Sequence, residues 1–94
     1  MAIAFVQDVE GGNQELYDKI QEKLGARENP PPGLIIHTAG PTATGWRVVD
    51  VWESEEALQK FRDGRLMPAI REAVGELPSP PKIEINPVYD LIQP

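Results

Sequence analysis

One stretch of the chain, residues 45–58 (GWRVVDVWESEEAL), constrains the fold more than any other. Its first half has the two-residue side-chain period of a β-strand, so Trp46, Asp50 and Trp52 should point to one side of a sheet. Ser54 then offers a helix cap, and the two glutamates after it place negative charge where a helix begins. The stretch therefore predicts a long strand that runs directly into a capped helix.

The rest of the chain predicts three further strands and one further helix. The apolar and alternating segments are bounded by Gly or Pro, and the helical segments carry apolar residues at helical spacing. The predicted strands are 2–9, 34–39, 45–53 and 82 to about 92, and the predicted helices are 13–24 and 54–74. Gly64 and Pro68 should leave the second helix kinked or in two pieces. The order β-α-β-β-α-β predicts a four-stranded antiparallel sheet with two helices on one face, which is the ferredoxin-like α+β plan.

Composition narrows the classes of function. The 94 residues predict a single domain, 1–94, and the absence of cysteine excludes disulfides, thiolate chemistry and Cys-ligated metals. A net charge of −6 and the lack of a basic stripe argue against nucleic-acid binding. No apolar run approaches the roughly 20 residues that span a membrane, and the first residues lack the basic start of a signal peptide. We therefore expect a cytoplasmic protein with no membrane partner.

The predicted sheet leaves one face uncovered, which indicates that a second copy of the chain packs on it. Two helices can cover only one face of a four-stranded sheet, and the other face also carries apolar side chains. The simplest cover is the same face of a second copy, so we expect a homodimer.

The motif in residues 49–58 (VDVWESEEAL) resembles the dimeric α/β-barrel superfamily, which includes antibiotic biosynthesis monooxygenase-like domains and many small proteins of unknown function. Those families often have an acidic residue, a spacer and an aromatic residue at the end of the third strand, leading into a capped helix. The resemblance in plan extends over nearly the whole chain. It implies two sheets packed face to face in a homodimer, with a pocket in each subunit between the sheet and its helices or loops.

The chain departs from the members that form quinones or degrade haem. Those members tend to carry a histidine or an asparagine at marked places. A histidine often found early in the second helix is matched here by Phe61 or a neighbour, which cannot perform that chemistry. The one histidine of this chain is His37, on the predicted second strand.

His37 is the first catalytic candidate. We expect it on a central strand beside Asp50, where it could act as a general base or orient a ligand. The alternative is an inert, hydrogen-bonded histidine at a sheet surface or dimer interface. If Ala39 pairs with Trp46, His37 lies opposite Val48, and a slip of one residue would move it to the other face.

Asp50 is the second catalytic candidate. A carboxylate in mid-strand between two tryptophans should be partly desolvated, and such carboxylates in clefts are candidate site residues. The alternative is a salt bridge, either to Arg47 of the partner subunit or to an arginine of the second helix.

Five residues are candidates for substrate binding. The two tryptophans could line an aromatic pocket, although plain core or dimer interface is the alternative for both. The other three could add polar groups to the same cavity. The set is Trp46, Trp52, Tyr17, Asn86 and Tyr89. A break in the second helix would also leave Arg62 and Arg65 in a loop near the pocket mouth, where they could meet an anionic ligand.

The remaining chemistry favours no metal and no cofactor. One histidine and no cysteine give no familiar zinc or haem ligand set, and the two serines suit a helix cap and a proline-rich loop. The main hypothesis is a homodimer with a small apolar pocket that serves as a small-molecule binding or interaction module. The alternative is a cofactor-independent monooxygenase or isomerase-like enzyme acting on a small aromatic or polyketide-like substrate. Whether the protein is an enzyme stays open at this point.

Overall fold

Strands and helices follow the predicted β-α-β-β-α-β order in a computed structural model that describes residues 1–94. The strands are β1 (Ile3–Glu10), β2 (Leu34–Pro41), β3 (Gly45–Trp52) and β4 (Lys82–Pro87). The helices are α1 (Gln14–Leu24), α2 (Glu55–Phe61) and α3 (Met67–Val74), and a π-helical segment, Arg62–Leu66, joins α2 to α3. The ferredoxin-like α+β prediction is confirmed.

The strands form one sheet in the order β2-β3-β1-β4, with every neighbouring pair antiparallel. The long strands β1 and β3 are central, and β2 and β4 are the edges. The expectation that His37 lies on a central strand is therefore wrong. Its hairpin partner β3 pairs with β1 on the other side, which leaves β2 with no second neighbour.

Side-chain caps begin both helices, as the sequence predicts. The Asn13 side-chain oxygen accepts a hydrogen bond from the Leu16 N–H at 2.9 Å, and Gly25 ends α1 in the left-handed conformation with φ 64°. The Ser54 hydroxyl accepts from the Ala57 N–H at 3.1 Å. Each cap satisfies a backbone donor that the first turn of a helix leaves free.

None of the helices has both the length and the apolar character needed to cross a membrane.

The predicted interruption of the second helix is present as a change of hydrogen-bond spacing. The Met67 N–H donates to the Arg62 carbonyl, which is the five-residue step of a π-helix. Pro68 lacks an N–H and its ring collides with the carbonyl four residues earlier, so a wider turn ahead of it relieves the clash. The chain stays helical throughout. The expectation that Arg62 and Arg65 lie in a loop is therefore wrong.

Buried apolar side chains form two clusters on the helical side of the sheet. One cluster joins β1, β3 and α2, and the other joins α1 and α3. The first contains Ile3, Phe5, Trp52 and Leu58, and the second contains Ile20, Ala69 and Ile70. A gap separates the two clusters, and side chains of both line it.

The helix-free face is only partly apolar. Ile36 and Val49 are 52% and 38% exposed there. Beside them Arg47 donates two hydrogen bonds to the Asp8 carboxylate, at 2.7 and 3.0 Å. This pair, rather than burial, holds the pKa of Asp8 below its usual range.

The last strand is shorter than predicted. β4 ends at Pro87 instead of near residue 92, and one further hydrogen bond, from the Val88 N–H to the Ala2 carbonyl at 2.9 Å, continues the pairing. Pro87 is tolerated because β4 is an edge strand. Tyr89 lies beyond the strand and is fully exposed.

Candidate functional site

A cavity of about 360 Å³ lies between the helix-covered face of the sheet and the helices. Most of its lining residues are hydrophobic, and they come from β1, β2, β3, α1 and the second helical stretch. Volumes of this size fall in the lower range of small-molecule sites. The polar groups of the cavity are few, so their arrangement determines what it can bind.

Four side chains form a continuous hydrogen-bonded chain along one wall of this cavity. The Tyr17 hydroxyl lies 2.6 Å from His37 Nε2, and His37 Nδ1 lies 2.6 Å from Asp50 Oδ1. The indole N–H of Trp52 donates to the other carboxylate oxygen of Asp50 at 3.1 Å. The structure thus brings both catalytic candidates and two substrate-binding candidates together.

The hydrogen-bond partners assign the proton positions in this chain. An ionised carboxylate only accepts hydrogen bonds, so His37 Nδ1 carries a proton and donates it to Asp50. In the neutral imidazole Nε2 is then an acceptor, and the Tyr17 hydroxyl must donate to it. Towards other groups the Tyr17 oxygen can then only accept, and the Gln21 side chain is one of its donors.

The Asp50 carboxylate is buried on β3 and pairs with no arginine of this chain. It is 4% exposed, although His37 at the sheet edge remains about a third exposed through its side chain. No arginine of the second helix pairs with Asp50, and the Arg47 of the same chain lies on the opposite face, where it pairs with Asp8. The Trp52 indole and the His37 imidazole satisfy the buried carboxylate instead.

Register explains how His37 reaches Asp50. The hairpin pairs Ala39 with Val48 and His37 with Asp50, two residues away from the expected Ala39–Trp46 pairing. A shift of two residues keeps every side chain on its predicted face, whereas a shift of one would not. His37 and Asp50 are therefore direct cross-strand neighbours rather than diagonal ones.

Tyr17 is the polar group of α1 at the cavity. Burial raises its pKa, an effect that Asp50 and Asp18 reinforce and Arg27 opposes. The ring lies 5.3 Å from the Trp46 ring, centroid to centroid, and is nearly parallel to the His37 imidazole at 6.1 Å. The phenol is therefore held protonated against two other aromatic rings.

The two tryptophans line the cavity at different depths. Trp52 is 1% exposed and packs on Phe61 with ring centroids 5.2 Å apart, so it also belongs to the core, which was the alternative for this residue. Trp46 is half-buried at the other end of β3.

Asn86 and Tyr89 do not reach the cavity. Asn86 pairs with Ala4 and lies on the helix-free face, while its neighbour Ile85 occupies the helix-covered face beside Phe5. Tyr89 follows the strand and is exposed. The cause is the alternation of side chains along β4 and the early end of that strand.

Sequence reasoning missed four polar lining residues, Gln7, Asn13, Gln21 and Arg27. Gln7 alternates with Phe5 and Val9 on β1, so the strand pattern could have placed it on this face. Gln21 lies one helical turn after Tyr17, and that spacing was a usable signal. Arg27 lies after the end of α1, where no periodicity applies. No three metal-ligating side chains (His, Cys, Asp or Glu) come together anywhere in the structure.

Comparison with solved structures finds the same fold in other proteins. A protein of unknown function from Nitrosomonas europaea is 23% identical, with a TM-score of 0.75 over 99% of this chain and 94% of that one. A proposed antibiotic biosynthesis monooxygenase from Caulobacter crescentus is 17% identical, with a TM-score of 0.72 over 95% and 91%. SnoaB, a cofactor-independent oxygenase from Streptomyces nogalater, is 14% identical, with a TM-score of 0.67 over 97% and 96%.

Sequence comparison adds nothing to this likeness. No protein-family model matches the chain, and no curated protein is similar to it. At identities below 25% the structural likeness establishes the fold alone. The chain thus has the ferredoxin-like fold that antibiotic biosynthesis monooxygenase-like proteins share with a protein of no known function.

Proposed function

We propose that this protein is a homodimeric binding module for a small, largely apolar molecule, which occupies the cavity beneath the sheet. The observation that carries the proposal is an apolar cavity with one polar wall, the Tyr17–His37–Asp50 chain. Apolar surface of a ligand gains roughly 25 cal/mol for each Å² removed from water, and a few polar groups orient it.

The aromatic residues of the cavity favour a ring-containing ligand. Trp46, Tyr17 and Phe61 all line it, and aromatic pairs in offset or tilted arrangements are attractive beyond their buried area. The Tyr17 oxygen, whose proton is directed to His37, suits a hydrogen-bond donor on the ligand. A phenol or a cyclic enol meets both requirements.

The homodimer part of the proposal concerns the helix-free face. Ile36 and Val49 are exposed at adjacent strands, with Val6 and Val51 half-buried beside them. Packing this face against its copy would remove the exposed apolar groups from water and leave the cavity accessible on the other side of the sheet.

A thermal-shift screen of aromatic metabolites tests ligand binding. Compounds that raise the unfolding temperature should lose their effect in Leu16→Trp, because Leu16 lines the cavity and a larger ring would occupy ligand volume. Glu22→Trp on the exposed side of the same helix is the matched control and should bind as the wild type does. A library in which no compound stabilises the wild type would contradict the proposal.

Catalysis of proton transfer is the second candidate, and the Tyr17–His37–Asp50 chain is the observation that favours it. Asp50 orients the imidazole so that Nε2 can take the Tyr17 proton, and the Tyr17 oxygen can in turn take a proton from a substrate. In an isomerase-like reaction one proton leaves the substrate and returns at another atom, with no change in oxidation state. A cofactor-independent monooxygenase would instead oxidise the substrate with molecular oxygen: a CH₂ group would become a carbonyl, and its two hydrogens would leave as water with the second oxygen atom. SnoaB, which has a similar fold, is described as a cofactor-independent oxygenase.

Deuterium exchange tests this second candidate. An aromatic ketone with acidic C–H bonds, such as 2-tetralone, should exchange faster in D₂O with the wild type than with His37→Gln, as followed by ¹H NMR. Equal rates for the two proteins would leave binding as the function.

A further inference from the structure

A loop of residues 25–33 lies between the end of α1 and the start of β2 and covers part of the cavity. It forms neither helix nor strand, and four of its residues line the cavity: Ala26, Arg27, Pro30 and Pro31. Pro31 is buried, although most of the loop is exposed. One wall of the cavity is therefore built without regular secondary structure.

Few hydrogen bonds join loop 25–33 to the rest of the protein. Its first N–H donates into the last turn of α1, and its last carbonyl accepts from the Glu53 N–H at 2.8 Å. The turns inside it bond residues no more than four apart along the chain. Residues 26–32 make one hydrogen bond with a distant part of the chain, in which Nη2 of Arg65 donates to the Asn29 carbonyl at 2.8 Å. That side chain therefore holds the middle of the loop in place.

Arg65 joins the loop to α1 through a single nitrogen. Its Nη2 also donates to the Leu24 carbonyl, at the end of α1, at 3.2 Å. The guanidinium lies 5.8 Å from the centroid of the Phe61 ring and takes part in no ion pair. Hydrogen bonds from a charged donor are stronger than those between neutral groups. Arg65 belongs to the π-helical segment, and such turns are frequent at functional sites.

Glycines with positive φ lie at both ends of the loop. Gly25 has φ 64° and Gly33 has φ 88°. Glycine adopts backbone conformations that other residues cannot, so the chain can rotate at such positions. Between the two glycines, three consecutive prolines at positions 30–32 stiffen the second half of the loop. The loop is therefore suited to move as a unit about its ends when its hydrogen bond to Arg65 breaks.

The loop also carries a cation to the polar wall of the cavity. Arg27 lines the cavity and takes part in no ion pair, and its charge opposes the rise in the pKa of Tyr17. The position of the loop therefore determines whether a positive charge lies near the Tyr17–His37–Asp50 chain.

We propose that loop 25–33 is a lid on the cavity and that Arg65 is the latch that keeps it closed. Arg65 is a positioning residue in this arrangement, because it contacts the lid and does not line the cavity. This inference rests on the proposed binding function and specifies the route by which the ligand enters. Opening breaks the hydrogen bond to Asn29 and uncovers the cavity between α1 and β2.

Amide hydrogen exchange tests the lid in the wild type without a ligand. The Asn29 N–H donates to the Gly25 carbonyl at 2.9 Å, from the middle of the loop to its hinge, so its exchange reports opening of the loop. Urea acts in proportion to the surface that an opening exposes, and a local opening exposes little. We therefore expect the exchange of Asn29 to change little at low urea concentrations that speed the exchange of the β1 amides.

Arg65→Gln should open the lid more often. It removes the charged donor, so the Asn29 amide should exchange at least about fivefold faster than in the wild type. Arg71→Gln is the matched control, because Arg71 is an exposed arginine of α3 outside the cavity lining. Its Asn29 amide should exchange as the wild type does.

Stopped-flow mixing with 2-naphthol tests whether the lid controls entry to the cavity. This probe is a phenol, and tryptophan fluorescence can follow its binding because Trp46 and Trp52 line the cavity. The latch holds the lid closed with and without a ligand, so Arg65→Gln should raise the association and the dissociation rate constants alike, each at least about fivefold. The dissociation constant should then change by less than about twofold. Arg71→Gln should leave all three constants unchanged.

The outcomes distinguish the lid from the proposed function. If Asn29 exchanges only together with the β1 amides, or if 2-naphthol binds to the wild type and to Arg65→Gln with the same rate constants, the loop is a fixed wall and the binding function stands. If Arg65→Gln speeds dissociation alone, Arg65 stabilises the bound complex and is not a latch. If Asn29 reports opening but 2-naphthol binds to neither protein, the loop controls no entry, and the lid and the binding of phenols are both wrong.

Discussion

At the scale of single residues, Asp50 determines the polarity of the whole hydrogen-bonded chain. Its carboxylate can only accept, so it fixes the proton on His37 Nδ1 and turns the Tyr17 proton towards Nε2. The direction in which Tyr17 meets a ligand is thus decided by a residue that the ligand need not touch. Asp50 is a positioning residue in this arrangement, and the orientation of the chain can be reversed without emptying the site.

Asp50→Asn should reverse the direction in which the side chains of this hydrogen-bonded chain donate. An asparagine can accept from Trp52 and donate to His37 Nδ1, so the ring proton should move to Nε2 and the Tyr17 hydroxyl should become free to donate into the cavity. ¹⁵N NMR of the imidazole reports the tautomer directly. Because both hydrogen bonds survive, the free energy of unfolding should change by less than about 1.5 kcal/mol, whereas Asp50→Ala should lose about 1–3 kcal/mol.

Asp8→Asn is the control for this measurement, since Asp8 is a carboxylate on the other face of the sheet that contacts Arg47. It should leave the His37 tautomer unchanged. A tautomer that is the same in the wild type and in Asp50→Asn would show that Asp50 does not orient the ring.

The raised pKa of Tyr17 predicts that the protein loses stability at alkaline pH. Burial raises its pKa above the ordinary value of 10.0, so the unfolded chain releases the phenolic proton at a lower pH than the folded chain. The stabilisation is complete below pH 10 and is lost as the pH rises through the folded-state value. Spectrophotometric titration should show a late-ionising phenol that is missing from Tyr17→Phe and present in Tyr89→Phe. A titration in which Tyr17→Phe retains the late component would contradict this assignment.

At the scale of elements, local features were predictable and pairings were not. Ser54 and Asn13 cap helices because a short polar side chain reaches the first free N–H groups, and that chemistry is local. The common face of Trp46, Asp50 and Trp52 follows from the period of one strand.

What the sequence could not supply depends on the conformation of a turn and on the strands that lie side by side. The hairpin register depends on a loop of residues 42–44, which is closed by hydrogen bonds between Thr42 and Gly45. That register alone brings His37 opposite Asp50. The end of β4 depends on what lies beside it, which explains why Tyr89 does not reach the cavity. Asn86 misses the cavity for a local reason, because the alternation of β4 turns it to the helix-free face.

Gly64 of the π-helical segment and Gly33, which precedes β2, give a pair of glycine substitutions with opposite expected effects. A Cβ at Gly64 would meet no atom within 4 Å, and Gly64 has no positive φ, so Gly64→Ala should raise the free energy of unfolding by about 0.5–1 kcal/mol. Gly33 has φ 88° and its Cβ would lie 2.6 Å from that of Ala57, so Gly33→Ala should lower it by about 1–3 kcal/mol. Chemical denaturation measures both.

The sign of the change in the free energy of unfolding in Gly64→Ala identifies the cause of the wider turn. A stabilised Gly64→Ala would mean that Pro68, rather than the glycine, is responsible for the wider turn. A destabilised variant would mean that the π-helical spacing needs glycine, which would contradict the account of this segment given by Pro68.

Across the complete protein, the two faces of the sheet differ in composition. The helix-covered face holds the cavity and its hydrogen-bonded chain, and the helix-free face has no such polar network. Its features are the exposed Ile36 and Val49 and the flanking Arg47–Asp8 pair. An apolar centre with charged groups at its margin is the common composition of protein interfaces.

Val49→Glu tests the homodimer proposed for this face. In an interface between identical faces, each copy would bring one buried carboxylate, and desolvation and repulsion should raise the dimer dissociation constant at least about tenfold. Met67→Glu on α3 is the matched control, because Met67 is 37% exposed and Val49 is 38% exposed, yet Met67 lies on the helical side. Sedimentation equilibrium should show a dimer for the wild type and for Met67→Glu, and a monomer at micromolar concentration for Val49→Glu.

Because Val49 already contacts water, its substitution should leave the cavity and the binding of an aromatic ligand intact. A wild type that sediments as a monomer would end the proposal, and a Met67→Glu variant that dissociates like Val49→Glu would move the interface from the sheet to the helices.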